Sequence, residues 1–87
     1  MKADKAAVTR LLKTARGQMD GILEMIEQDR YCIDISNQLM ATQSILAKAN
    51  RMVLQAHIQG CVHEAFEQGD PEEKINEVLT LLEKMNK

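Results

Sequence analysis

Two cysteines and two histidines stand out in this 87-residue chain as the side chains whose spacing could do chemistry. His57 and Cys61 lie four residues apart, so on a helix they project from one face, one turn apart. Such a pair can hold two corners of a metal site. By itself it is a weak signal, because cysteine is also a common buried filler. Cys32 adds more. It precedes His57 by 25 residues, about 35–40 Å along a helix, whereas metal–ligand bonds are about 2.0–2.3 Å. One chain therefore does not unite the three, but two chains packed antiparallel do, and a twofold axis then makes two equivalent sites. Two thiolates and an imidazole form a soft donor set that favours Cu(I) or Zn(II) over Mg, Ca or Mn. With no fourth ligand in evidence the set leans to Cu(I), and Zn(II) is the second candidate. His63, two residues after Cys61, points to the opposite face and reads as a surface residue. No nucleophile–base pair or pocket-forming motif is visible, so the expectation is a binding protein and not an enzyme.

The elements that must position these donors are helices. Val8, Leu11, Leu12, Ala15, Met19, Ile22, Leu23 and Ile26 repeat at three and four, which predicts a first helix from about Asp4 to Gln28. Gly17 and Gly21 each cost that helix roughly 1 kcal/mol against alanine, and glycines of this kind often mark close backbone approach. Asp29-Arg30-Tyr31-Cys32 reads as a short connection. A second helix is expected from Asp34, a good N-cap residue, to about Gln68. Its stripe, Ile35, Leu39, Thr42, Leu46, Ala49, Val53 and Ala56, is a heptad-like seam. Such a rod spans about 50 Å, too long for a monomer of this size to cover. The midpoint between Cys32 and Cys61 falls at residues 46–47, inside the seam, so the antiparallel pairing that covers the rod also assembles the donors. Gly69-Asp70-Pro71 is a stop and restart, with Gly past one helix end, Asp capping the next and Pro at its first position. Glu72 and Glu73 suit the first turn of a third helix, whose apolar face is Ile75, Val78, Leu79, Leu82 and Met85.

Composition agrees with one small all-α domain over residues 1–87. The chain has one proline, four glycines, one tyrosine and one phenylalanine, so its core is aliphatic and suited to helix packing. A chain this short buries only about 60% of its unfolded surface, which makes oligomerisation the natural source of further core. The net charge of −2 conceals an asymmetry. Residues 1–16 carry Lys2, Lys5, Arg10, Lys13 and Arg16 against Asp4 alone, while residues 64–87 are as strongly acidic. A basic end of this kind suits phosphate, or is simply a solvated face. No apolar run approaches the roughly 20 residues that cross a bilayer, and the N-terminus lacks an export signal. Two cysteines without such a signal fit a reducing compartment, so the expected location is the cytoplasm, with no membrane partner.

The stretches LKTARGQMDGI (12–22), DRYCIDISNQL (29–39), QSILAKANRMVLQAHIQGC (43–61) and INEVL (75–79) resemble the CsoR/RcnR family of bacterial metal-sensing repressors, most closely its copper-sensing members. The resemblance covers nearly the whole chain. It implies antiparallel helical dimers that pair into tetramers, with an intersubunit Cu(I) site on Cys32, His57 and Cys61. It also implies a supporting tyrosine and glutamate at Tyr31 and Glu77. Nickel/cobalt sensors of the family carry His where this chain has Cys61, formaldehyde sensors lack that cysteine, and persulfide sensors lack the His at 57. Operator DNA would be met, without a helix-turn-helix, by Lys13, Arg16, Lys48 and Arg51. Arg10 stands beside Leu11, where relatives often have a basic residue. The implied function is a repressor that leaves its operator when Cu(I) binds. The rival readings are a persulfide or thiol-redox sensor using Cys32 and Cys61, and a metal-binding helical dimer without DNA binding.

Overall fold

The computed structural model describes residues 1–69 and 71–85 of the chain. Three helices follow one another: α1 (Lys5–Glu27), α2 (Cys32–Gln68) and α3 (Pro71–Met85). No strand occurs among the described residues.

The ends of α1 and α2 have local causes. Asp4 caps α1, its carboxylate accepting from the Ala7 amide at 3.2 Å, which satisfies one of the orphan N–H groups of the first turn. At the other end the Asp29 N–H donates to the Ile26 carbonyl and the Arg30 N–H to that of Met25, both at 3.0 Å. Asp29 itself has φ 52°. This is a Schellman turn, with an aspartate in the left-handed position that usually falls to glycine. α2 starts two residues earlier than the expected Asp34 cap. The Tyr31 carbonyl already accepts the Ile35 N–H at 3.2 Å, so Tyr31 occupies the cap position. Asp34 instead sits in the first turn, where its charge complements the helix dipole. Cys32 is therefore mounted on the helix and not in the connection. Gly69, at φ 77°, ends α2 as expected. The expected cap by Asp70 lies outside the described residues.

α1 folds back antiparallel on α2, as two distant links establish. The Thr42 hydroxyl donates to Gln18 Oε1 at 2.8 Å, and Lys2 Nζ donates to Glu64 at 2.7 Å. Between the helices lie Val8, Ala15 and Ile22 of α1 and Thr42 and Ala49 of α2, all buried. The spacing on each helix is seven, so the α1–α2 contact is one narrow seam. Most of the rest of the predicted stripes stays open, with Leu11, Ile35, Val53, Ala56 and Val78 half-buried. Leu12, Met19, Leu23 and Ile26 of α1, Leu39 and Leu46 of α2, and Ile75, Leu79, Leu82 and Met85 of α3 are each more than 40% exposed. The two glycines of α1 also differ from expectation: a Cβ added at Gly17 or Gly21 would meet nothing within 4 Å.

The molecule measures 58 × 28 × 13 Å with a radius of gyration of 17.6 Å. A compact chain of this length would have about 12 Å. Its thinnest dimension is about one helix diameter, so the helices form a single layer with two uncovered faces. None of the helices is long and apolar enough to cross a membrane.

Candidate metal centre

The 37 residues of α2 run unbroken from Cys32 to Gln68, which puts His57 and Cys61 on one face as their spacing requires. Cys61 is 3% exposed, against the body of the molecule. His57 is half-buried and reaches over it, with Nε2 at 3.2 Å from the cysteine Sγ. The turn at Gly69 sends α3 back along α2, and Glu77 arrives beside the same ring: its Oε1 lies 3.0 Å from His57 Nε2. The donor atoms of His57, Cys61 and Glu77 all lie within 4.8 Å of one another.

Both contacts of this cluster fall on one nitrogen of the His57 ring. Nε2 faces both the thiol and the carboxylate. A ring nitrogen carries at most one hydrogen. With that hydrogen on Nε2 it donates to the carboxylate, the stronger acceptor, and the sulfur is left as a weak one. Coordination through Nδ1 would preserve the His57–Glu77 hydrogen bond, whereas coordination through Nε2 would replace it. The donor set itself suits a soft or borderline ion: a thiol that coordinates as thiolate, an imidazole and a neighbouring carboxylate.

Cys32 is not part of this cluster. It is exposed at the first turn of α2, about 37 Å from His57 along the helix axis. Tyr31, 67% exposed, precedes it and is likewise remote from Glu77 within the chain. The single chain thus presents two of the three expected Cys-His-Cys ligands, together with Glu77, at one end of the rod, and Cys32 with Tyr31 at the other. His63 is exposed and pairs with Glu67 at 3.0 Å, one turn on, as a surface residue should.

The five candidate DNA residues are all exposed. Arg10 and Lys13 line an open groove along α1 with Lys5 and Thr9, and a second groove beside it takes in Lys13, Arg16 and Leu12. Lys48 and Arg51 lie on α2. None of the five pairs with a carboxylate among the described residues. Leu11 is half-buried while its neighbour Arg10 is exposed.

One contact near the centre has no counterpart in the sequence pattern. The stem of Lys2 lies directly over Gly60, where any Cβ would collide with it. The hydrogen bond that Lys2 donates to Glu64, with a smaller contribution from Cys61, holds the Lys2 ammonium above its ordinary pKa. A lysine at the second position of the chain carries no spacing signal toward residue 64. Only the antiparallel return of α1 brings them together.

A model of the metal-sensitive transcriptional repressor family matches residues 4–84. The chain belongs to that family. It is 44% identical over 75 residues to the copper-sensing transcriptional repressor CsoR of Mycobacterium ulcerans, covering 86% of this chain and 64% of that protein. It is 38% identical over 84 residues to CsoR of Bacillus subtilis, covering 97% and 83% respectively. The chain thus spans just under two thirds of the length of its mycobacterial relative. The crystal structure of CsoR with Cu(I) from Geobacillus thermodenitrificans NG80-2 superposes with a TM-score of 0.87 at 30% identity, covering 100% of this chain and 94% of that one. The three-helix fold is therefore the family's own.

Proposed function

We propose that this chain is a Cu(I)-responsive transcriptional repressor. Without metal an oligomer binds double-stranded operator DNA. Cu(I) held by His57 and Cys61 together with Cys32 of the partner subunit releases it, and copper-resistance genes are derepressed in the cytoplasm. The observation that carries this reading is the connected row Cys61–His57–Glu77, which joins the ligand-bearing face of α2 to α3. Its occurrence in a chain 30% identical to a repressor crystallised with Cu(I) supports Cu(I) as the metal.

The single-layer shape supports the oligomer. Two copies laid antiparallel across the exposed Leu39 and Leu46 would cover both rods and set each Cys32 beside the partner's His57 and Cys61. Pairs of such dimers would make the tetramer typical of the family. Arg10, Lys13, Arg16, Lys48 and Arg51 would supply phosphate contacts, which set register and most of the affinity. Glu77, and Tyr31 brought near by the partner, would transmit metal binding through His57. Coupling of this kind is reciprocal, so DNA weakens Cu(I) binding by the factor with which Cu(I) weakens DNA binding.

The test is His57→Ala. Two thiolates remain, so the variant keeps considerable Cu(I) affinity while its DNA complex no longer dissociates on copper addition. Anaerobic Cu(I) titration beside fluorescence anisotropy of labelled upstream DNA reads both. Full release by the variant would sink the role given to His57.

A further inference from the structure

His57, Cys61 and Glu77 form a mixed nitrogen, sulfur and oxygen set inside one chain, and this set differs in kind from two thiolates and an imidazole. Cu(I) has little use for a carboxylate, while a borderline divalent ion accepts all three donor types. Zinc binds sulfur at about 2.3 Å and nitrogen or oxygen at about 2.0–2.2 Å. At the tetrahedral angle those lengths place neighbouring donors about 3.3–3.6 Å apart. The structure holds Sγ and Nε2 3.2 Å apart and Nε2 and Oε1 3.0 Å apart, with all three donor atoms within 4.8 Å of one another. The two pairs about Nε2 therefore need to spread by a few tenths of an ångström, while the Glu77 side chain turns to bring its oxygen to the same ion. Glu77 and His57 are both about two-fifths exposed, which gives an ion access and leaves room for water at a fourth position.

We infer that His57, Cys61 and Glu77 constitute a single-chain site for a borderline divalent cation, Zn(II) fitting best, in which Glu77 changes from the hydrogen-bond partner of His57 into a ligand. The inference shares His57 and Cys61 with the copper reading but needs neither Cys32 nor DNA. It has a consequence for selectivity. Zn(II) and Cu(I) compete for two donors, yet Cu(I) taken through Nδ1 would leave Glu77 on the imidazole, whereas Zn(II) in this site takes Glu77 from it. The two ions are then told apart by what they do to α3, and not by affinity alone.

The experiment uses the intact oligomer, with Zn(II) competition, Co(II) as a spectroscopic stand-in, and separate anaerobic Cu(I) titration. Glu77→Gln keeps a carbonyl acceptor for His57 but removes the anionic ligand. It should weaken Zn(II) at least tenfold and abolish the intense tetrahedral Co(II) bands, while Cu(I) affinity changes less than threefold. Cys32→Ser should do the reverse, lowering Cu(I) affinity more than tenfold with Zn(II) within threefold. Unchanged Zn(II) affinity in Glu77→Gln, or a Zn(II) loss in Cys32→Ser equal to that in Cys61→Ser, would overturn the site. A chain that bound Zn(II) through Glu77 but not Cu(I) would support the site and defeat the copper reading.

Discussion

At the scale of single residues, the α1–α2 seam contains one polar side chain where its pattern favours an apolar one. Thr42 is 4% exposed, and its hydroxyl lies within hydrogen-bond reach of Gln18 Oε1 and, at 3.2 Å, of the Gln38 carbonyl. The hydroxyl is satisfied, so its burial is tolerated, and the bond to Gln18 ties the two helices at one register. Thr42→Val keeps the shape and removes the bond. It should cost about 1 kcal/mol, a typical net value, because Gln18 is only half-buried and can turn to water. Urea unfolding measures this, and an unchanged midpoint would mean the bond is not formed in solution. The same scale holds the chemistry. His57 and Cys61 were legible as a pair because four residues make one turn. Glu77 could be named only by resemblance, since nothing in its local spacing aims it at His57.

At the scale of elements, the helices and their stops are mostly written in short stretches of chain. Periodic apolar residues and Gly69-Asp70-Pro71 placed the helices within a few residues. The start of α2 was missed because Asp34 is as favourable inside a first turn as at a cap. The backbone of Tyr31 decided between the two. The α1–α2 turn carries a residue that can be improved. Asp29 adopts φ 52°, a conformation that costs side-chain-bearing residues roughly 1–2 kcal/mol, less for aspartate and asparagine. Asp29→Gly should therefore raise stability by up to about 1 kcal/mol, offset in part by the greater freedom of the unfolded chain. Thermal unfolding at fixed protein concentration checks it. A lowered midpoint would show that the Asp29 side chain has a partner in the assembly.

At the scale of the whole molecule, a layer 13 Å thick cannot enclose a core. Its large exposed apolar residues are the surface that the proposed antiparallel dimer would cover, which makes the dimer testable. Leu46, 42% exposed near the middle of α2, would lie close to the twofold axis, so Leu46→Glu sets two carboxylates against each other in an apolar seam. Sedimentation should show the variant dissociating at concentrations where the parent chain is an oligomer, and an unchanged assembly would move the interface to another face. The proposed DNA binding belongs to this scale too, because no single residue would carry it. Lys13→Ala should weaken binding similarly for operator and unrelated DNA. It should also make the slope of log affinity against log salt shallower, by about 0.9 for each phosphate left without its lysine. Weakening confined to the operator would mean that Lys13 reads a base instead.

The sequence by itself determined the donor types, the helical period, the position of the stop at Gly69 and the impossibility of one chain closing Cys32 onto Cys61. All of these depend on spacing along a rod of known rise, which a few neighbouring residues encode. Tertiary structure alone decided that Glu77 shares one ring nitrogen with Cys61. It also decided that Lys2 crosses Gly60, that Gly17 and Gly21 face open space, and that the seam within the chain is too narrow to bury the predicted stripes. These depend on how two turns aim three helices, and small angular changes at a turn grow into ångströms at a helix's far end. His57 and Cys61 could therefore be read from the sequence as two corners of a site, whereas their third neighbour had to be seen in place.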